Sequence, residues 1–421
     1  MLLFLIKKIL KMSKSLNYID LFAGAGGLSE GFIRQGFKPI AHVEMNKLAC
    51  DTIITRVAFH YLKEKGLENV YHQYLRGEIK KVEFLKNIPK QLLESVINTE
   101  ISDKTISNIF SKIDQQLKNK KVDVIIGGPP CQAYSIVGRA RDPKNMADDP
   151  RNHLYKQYVK FLREYQPKMF VFENVPGMLS AKNGEYFEKI KNAIKKEGYS
   201  FDHKVLNARD FGVLQDRKRV ILIGWKDNLN IHYPEFKSLE QNFKILKDLF
   251  SDLPPLQNGT GTMGVVNYKK KTTEYLTTTG IRNGIDFTTQ HIARPNNEND
   301  LEIYRIAVEE LQCGRRLNYA TLPKRLIKHK NTTSFTNRFQ VVNGNGLSHT
   351  VVAHIAMDGH YYIHPDIKQN RSITVREAAR IQSFPDDFHF EGGRTGAFKQ
   401  IGNAVPPLMA EEIAKKIKLI L

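Results

Sequence analysis

Residues 16–22, LNYIDLF, are an apolar run that breaks into Ala23-Gly24-Ala25-Gly26-Gly27. An amphipathic helix is expected over residues 29–36, then a second strand over 37–43 that ends at Glu44. Strand, glycine-rich turn, helix, strand and acid is the opening of a nucleotide-binding βαβ unit. The glycines let backbone approach a ligand closely, and the acid can accept from a ribose hydroxyl. The same alternation continues. Residues 122–126 and 168–172 read as further parallel strands, flanked by helices around 153–165 and 185–197, and 205–206 with 219–225 close the sheet. This predicts an α/β fold with a doubly wound, Rossmann-like sheet. Residues 80–121 are polar, Lys-rich and helical in pattern, and read as a helical insertion on the sheet's rim.

Beyond residue 225 the character changes. Residues 253–346 are rich in Thr, Asn, Gly, Lys and Arg with weak periodicity, which predicts a second, smaller, irregular and basic domain. Residues 354–365 look like a hairpin turning at Asp358-Gly359. Residues 374–382 are expected to be a helix capped by Thr374, with Glu377 at capping-box distance. Residues 409–421 read as a final amphipathic helix. The expected division is a first domain over 13–235, completed by 396–421, and a small domain with its hinge over 250–395.

The 421 residues carry a formal charge of +20, which calls for a polyanionic partner, either nucleic acid or an acidic membrane surface. Three scattered cysteines argue against a disulfide framework and for a reducing compartment, and no Cys/His spacing suggests a metal site. The apolar, lysine-bearing stretch 1–11 is too short for a signal core or a membrane span, and Met12 is a candidate start.

One cysteine stands apart. Cys131 follows Gly127-Gly128-Pro129-Pro130 at the end of an apolar run. Two prolines fix the backbone and two glycines let another molecule come close, a presentation that suits a nucleophile.

The ordered set of motifs resembles the DNA cytosine-5 methyltransferase family. It comprises Asp20-Leu21-Phe22-Ala23-Gly24-Ala25-Gly26-Gly27, Pro129-Pro130-Cys131-Gln132, Phe172-Glu173-Asn174-Val175 and Gln215-Asp216-Arg217-Lys218-Arg219. It continues with Arg376-Glu377-Ala378-Ala379-Arg380, Phe384-Pro385-Asp386 and Gly402-Asn403-Ala404-Val405-Pro406-Pro407. The resemblance implies an S-adenosylmethionine-dependent methyltransferase domain beside a target-recognition domain. It implies Cys131 as the thiolate that adds to carbon 6 of cytosine, Glu173 as the donor to ring nitrogen 3, Arg219 on the base oxygen and phosphate, and Arg217 as a brace for the nucleophile loop. Arg217 and Arg219 alternate along a strand and are expected on one face.

For the cofactor the resemblance implies Phe22, Gly24, Gly26 and Gly27 around the methionine part, Glu44 on the ribose and Met45 on adenine. The acid–isoleucine pair that meets the adenine amine is best matched by Glu78-Ile79, with Glu in place of the family's usual Asp. Pro130, Leu154 and Asn403 complete that pocket. Residues 135–151 read as a mobile loop that clamps over a base flipped out of the duplex, with Ser135, Arg139, Arg141 and Arg151 toward DNA. Base recognition falls to the small domain, with candidates in 277–284 and 331–338.

The implied activity is methylation of cytosine carbon 5 in a short double-stranded DNA sequence, by a monomer without metal. The setting is the prokaryotic cytoplasm, at the nucleoid by virtue of its substrate, as the modification partner of a restriction endonuclease. The alternative enzyme methylates tRNA cytosine. A catalytically dead DNA-binding protein and a nicotinamide-dependent oxidoreductase fit the Cys131 loop less well.

Overall fold

The computed structural model describes residues 15–130 and 153–421. Cys131, Ser135, Arg139, Arg141 and Arg151 therefore lie outside the described residues, as does the 1–11 stretch.

The chain opens with β1 (Asn17–Leu21), helix α1 (Gly27–Arg34), β2 (Lys38–Glu44), and helices α2 (Lys47–Glu64) and α3 (Glu68–Leu75). It continues with β3 (Val96–Asn98), α4 (Ile106–Leu117), β4 (Val124–Gly127), α5 (Leu154–Tyr165), β5 (Met169–Asn174) and α6 (Glu185–Lys195). Then come β6 (Tyr199–Asn207), β7 (Gln215–Asp216) and β8 (Lys218–Lys226). The seven-stranded sheet runs β3-β2-β1-β4-β5-β8-β6, and β8 is antiparallel to both neighbours. Its central strands are apolar on both faces, as a sheet covered on two sides requires: Val124, Ile125 and Ile126 are fully buried.

Residues 80–121 correct the expectation of a rim insertion. Val96–Asn98 pairs in parallel with β2 and forms the sheet's edge, and Ile106, Ile109 and Ile113 of α4 enter the main core. The segment is a βα unit of the fold. A three-residue strand between polar helices leaves too short an apolar run to read as one.

The final helix returns to this sheet. After β9 (Gly261–Asn267) and β10 (Phe287–Ile292) come α7 (Glu298–Gln312), β11 (Ser348–His349), α8 (Val375–Ile381), α9 (Arg394–Asn403) and α10 (Pro407–Ile420). A Cβ at Gly31 would collide with the Ala410 and Glu411 backbone, so α1 and α10 pack in direct contact. The Thr374 capping box forms as expected.

The smaller part of the chain has its own core around Leu301, Tyr304, Val308, Tyr319 and Phe339. Helix α7, with 15 residues, is more regular than the composition suggested; Asn297 caps it by accepting from Asp300 N at 3.0 Å. The expected 354–365 hairpin is absent. Residues Ala353–Ala356 form one 3-10 turn, and Arg294 donates to the carbonyls of Ile355 (3.0 Å), Ala356 (3.1 Å) and Met357 (2.6 Å), which a ladder would need. Ile363 instead bridges Val341 and Ser372.

Three histidines in this region predict acid sensitivity. Burial pushes His349 and His389 down to about 4 and His364 to about 3. The unfolded chain binds protons on these rings below about pH 6.5, which the folded chain refuses until near pH 4. Stability should therefore fall as pH drops from about 6.5 to 4, by about 1.4 kcal/mol per pH unit for each such proton. Urea midpoints at pH 7.5, 6 and 5 check this; a midpoint that holds constant contradicts it.

Candidate active site

The parallel strands end level with one another. Leu21 pairs with Val43 on one side and with Gly127 on the other, and Phe172 pairs with Gly127. Turns leaving β1, β2, β4 and β5 thus meet at one sheet edge, where open α/β sheets bind ligands.

At the first turn Phe22 has φ +56°, a left-handed conformation costing roughly 1–2 kcal/mol in a non-glycine residue. Gly24 (φ +56°) and Gly26 (φ +81°) continue it at no such cost. Ala23 N donates to Val43 O at 3.2 Å and Gly26 N to Ala23 O at 2.9 Å, which hold the turn. A Cβ at Gly27 would collide with the Val405 carbonyl, so the turn rests on the segment that follows Asn403. Asn403 itself is exposed at the end of α9.

Glu44 reaches across from β2. Its Oε2 accepts from Gly24 N at 2.9 Å and its Oε1 from Asn46 N at 2.7 Å. Met45 beside it is 62% exposed. Asn98, opposite Glu44, donates to the Glu44 and Met45 carbonyls at 3.2 and 3.0 Å, and Thr99 N donates to Glu44 O at 3.0 Å. Exposed Glu100 and buried Ile101 follow directly.

Glu78 and Ile79 are not brought to this edge. They follow α3, where Glu78 is exposed with its N–H donating to Gln73 O, and Ile79 packs among Tyr71, Phe84 and Phe287. The acid–isoleucine pair at the strand ends is Glu100-Ile101. Recognising 96–98 as a strand was the signal that would have found it.

The third turn leaves β4. A Cβ at Gly127 would collide with the Leu21 carbonyl, and one at Gly128 would stand 2.5 Å from Glu173 Oε2. The bare backbone of Gly128 therefore lies against the Glu173 carboxylate. Asn174, 3% exposed, donates from Nδ2 to Pro129 O at 3.3 Å. Pro130 is exposed. From β8, Arg219 Nε lies 2.8 Å from Glu173 Oε1. Backbone of 128–130, carboxylate and guanidinium thus converge one residue before Cys131. Leu154 opens α5, half-buried; that helix is pinned under the sheet by Tyr158, whose hydroxyl donates to Val171 O (2.9 Å) and Ile125 O (3.1 Å).

Arg217 does not share Arg219's surroundings. It sits in the break between β7 and β8, fully buried, and donates to Val351 O (2.7 Å), Ala404 O (2.9 Å) and Gly402 O (3.3 Å). Because β7 pairs with β11 rather than with the large sheet, alternation does not carry across Arg217.

Cys50 offers no competing nucleophile. Its Sγ donates to Glu44 O at 3.3 Å, and burial, with the Glu44 charge adding, pushes its thiol up to about 12. Of the two stretches expected to read bases, 277–284 is occupied internally. Arg282 pairs with Asp252 and lies 3.7 Å over the Tyr268 ring, and Asn283 donates to Asp387 at 2.6 Å. Residues 331–338 form an exposed loop.

The pattern of a C-5 cytosine-specific DNA methylase family matches the chain over residues 16–85 and 62–419. The type II methyltransferase M.Bpa9945I of Bacillus paralicheniformis is 43% identical over 442 residues, covering 95% of this chain and 98% of that protein. The type II methyltransferase M1.HphI of Haemophilus parahaemolyticus is 32% identical over 414 residues, covering 98% and 90%. Among solved structures, a candidate DNA modification methyltransferase encoded within an E. coli prophage aligns with TM-score 0.61 and 25% identity, covering 96% of this chain and 99% of that one. Among the described residues no helix is long and apolar enough to cross a membrane, and no group of three or more His, Cys, Asp or Glu could hold a metal ion.

Proposed function

This chain belongs to the C-5 cytosine-specific DNA methylase family, and we propose that Cys131, Glu173 and Arg219 carry its reaction on a flipped-out cytosine. The enzyme methylates carbon 5 of cytosine in DNA; the family match favours this over the tRNA alternative. The observation that carries the proposal is the Glu173 carboxylate, held between Arg219 and the bare Gly128 backbone that leads into Cys131.

Carbon 5 of cytosine is a weak nucleophile. Addition of the Cys131 thiolate to carbon 6 forms a C–S bond and pushes the ring electrons toward nitrogen 3, which takes a proton from the Glu173 carboxyl. Carbon 5 is then the nucleophilic end of an enamine. After methylation, loss of the carbon 5 proton to a base and expulsion of the thiolate restore the ring double bond, and nitrogen 3 returns its proton to Glu173. Arg219 orients Glu173 at 2.8 Å and offers positive charge to the base oxygen.

The residues present fit S-adenosylmethionine. The left-handed turn at Phe22, Gly24 and Gly26 bares backbone to a ligand, and Glu44 presents a carboxylate to ribose hydroxyls from the end of β2. Met45 offers an apolar wall for adenine, and Glu100-Ile101 replace Glu78-Ile79 beside it. Bound there, the cofactor supplies an electrophilic methyl group. Glu44→Gln keeps the side chain's size and removes its charge. It should raise KM for the cofactor about tenfold with kcat little changed, since a hydrogen bond to a charged group is worth roughly 1.5 kcal/mol. An unaltered KM would remove Glu44 from the cofactor site.

The type II relatives support a role as the modification enzyme of a restriction–modification system, cytoplasmic and paired with an endonuclease. The monomeric state is likewise part of the proposal. Labelled methyl transfer to unmethylated duplex DNA, with tRNA in parallel and bisulfite sequencing of the product, tests the whole. Label in tRNA alone would refute it.

A further inference from the structure

Phe335 is the only exposed phenylalanine among the described residues, 64% accessible. Its φ is +55°, a left-handed conformation that a bulky side chain adopts at a cost. The loop around it is firmly braced. Arg338 donates to the carbonyls of Asn331 (2.8 Å), Ser334 (3.2 Å) and Phe335 (3.2 Å), with its guanidinium 4.3 Å over the Tyr319 ring. Asn331 Oδ1 accepts from Ser334 N at 2.9 Å, and the Tyr319 hydroxyl accepts from Lys328 N and His329 N at 2.8 and 3.1 Å. All this rigidity serves a loop whose tip side chain contributes nothing to any core.

The loop borders a cleft of about 410 Å³ between the two parts of the chain. Asn337, two residues past Phe335, lines it from one side together with Arg316, and Arg209 and Asp216 line it from the connection between β6 and β8. Asp216 is three residues before Arg219. Residues 326–340 contain Lys328, Lys330 and Arg338 and no acid, which suits a polyanion.

We propose that Phe335 is a specificity-determining residue, presented by this braced loop to make apolar contact with base pairs of the recognised DNA site. The inference rests on the DNA-methylating reading above. A rigid aromatic on a basic loop can pack on base edges, such as a thymine methyl, while the lysines meet phosphates. Fixing the ring in advance spares its ordering on binding, which gives the strained backbone a use.

The test begins with the parent enzyme, whose methylated sites on genomic DNA are read by bisulfite sequencing. Failure there strikes the DNA-methylating reading rather than this one. Phe335→Asn and Phe335→Tyr are then compared on the site so found and on its single-base variants. Asn tolerates the left-handed conformation, so Phe335→Asn should melt at the parental temperature or above it. It should nevertheless lose on the order of tenfold or more in kcat/KM on the parental site, with a flattened preference over the variant sites. Phe335→Tyr should retain both. Parental rates and selectivity in Phe335→Asn would overturn the proposal. So would a lowered melting temperature with proportional loss on every DNA, which would make Phe335 a structural residue.

Discussion

Cys131→Ser should abolish methyl transfer while leaving duplex DNA binding within a few-fold of the parent. A serine hydroxyl does not ionise near neutral pH, so the addition to carbon 6 loses its nucleophile, a fall on the order of 10⁴-fold or more. Neither other cysteine can replace it. Cys50 is held as a thiol by burial and the Glu44 charge, and Cys313 lies exposed at the end of helix α7, in the smaller part of the chain. Glu173→Gln should act on the same step. It keeps the shape facing Gly128 and Arg219 but cannot donate the carboxyl proton, for a loss of roughly 10²–10⁴-fold. DNA carrying 5-fluorocytosine at the target separates the two roles. Fluorine cannot leave as a proton does, so the adduct persists after methyl transfer. The parent should form it, Glu173→Gln should form it slowly, and Cys131→Ser should form none. Turnover in the serine variant would sink the nucleophile assignment.

The sheet could be read from the sequence because its strands are unbroken apolar runs with glycine punctuation. Residues 122–126 and 168–172 hold most of β4 and β5, whose bounds are Val124–Gly127 and Met169–Asn174. Glu44 was recognisable because the spacing from a glycine-rich turn to a strand-end acid is set by the length of one βα unit. Val96–Asn98 was not, since edge pairing supplies what three residues of sequence cannot signal. Glu78-Ile79 was chosen over Glu100-Ile101 for the same reason: without the strand, two acid–isoleucine pairs look alike. The separation of Arg217 from Arg219 depends on β7 pairing with a strand more than 130 residues away, which no local period encodes. The hairpin expected at 354–365 failed through Arg294, 61 to 63 residues away in the chain.

Arg380→Ala should be the most destabilising single change, although Arg380 lies outside the site. Its guanidinium is fully buried between two carboxylates. Nη1 donates to Asp252 Oδ1 at 2.6 Å, Nε to Asp386 Oδ1 at 2.9 Å and Nη2 to Asp386 Oδ2 at 2.5 Å, and Leu249 O accepts at 2.5 Å. Both acids are themselves buried, and the Arg380 charge holds Asp386 below the usual carboxylate range. Truncation leaves Asp386 buried without its cation and Asp252 with Arg282 alone, a loss of roughly 3–5 kcal/mol, or about 10 °C in melting temperature. A shift under about 2 °C would contradict it. The discriminating companion is Arg380→Met with Asp252→Asn and Asp386→Leu, which removes the uncompensated charges together and should recover much of the loss. Arg380→Lys should fall between, since one ammonium cannot reproduce a planar fork on two carboxylates. Below its melting point Arg380→Ala should still transfer methyl groups, because none of its partners lies at the ends of the parallel strands. The Arg376-Glu377…Arg380 pattern then ties helix α8 to the segments around 249–252, Thr289 and 385–388. Arg376 supports this: its buried guanidinium is spent on the carbonyls of Thr289, Pro385 and Phe388.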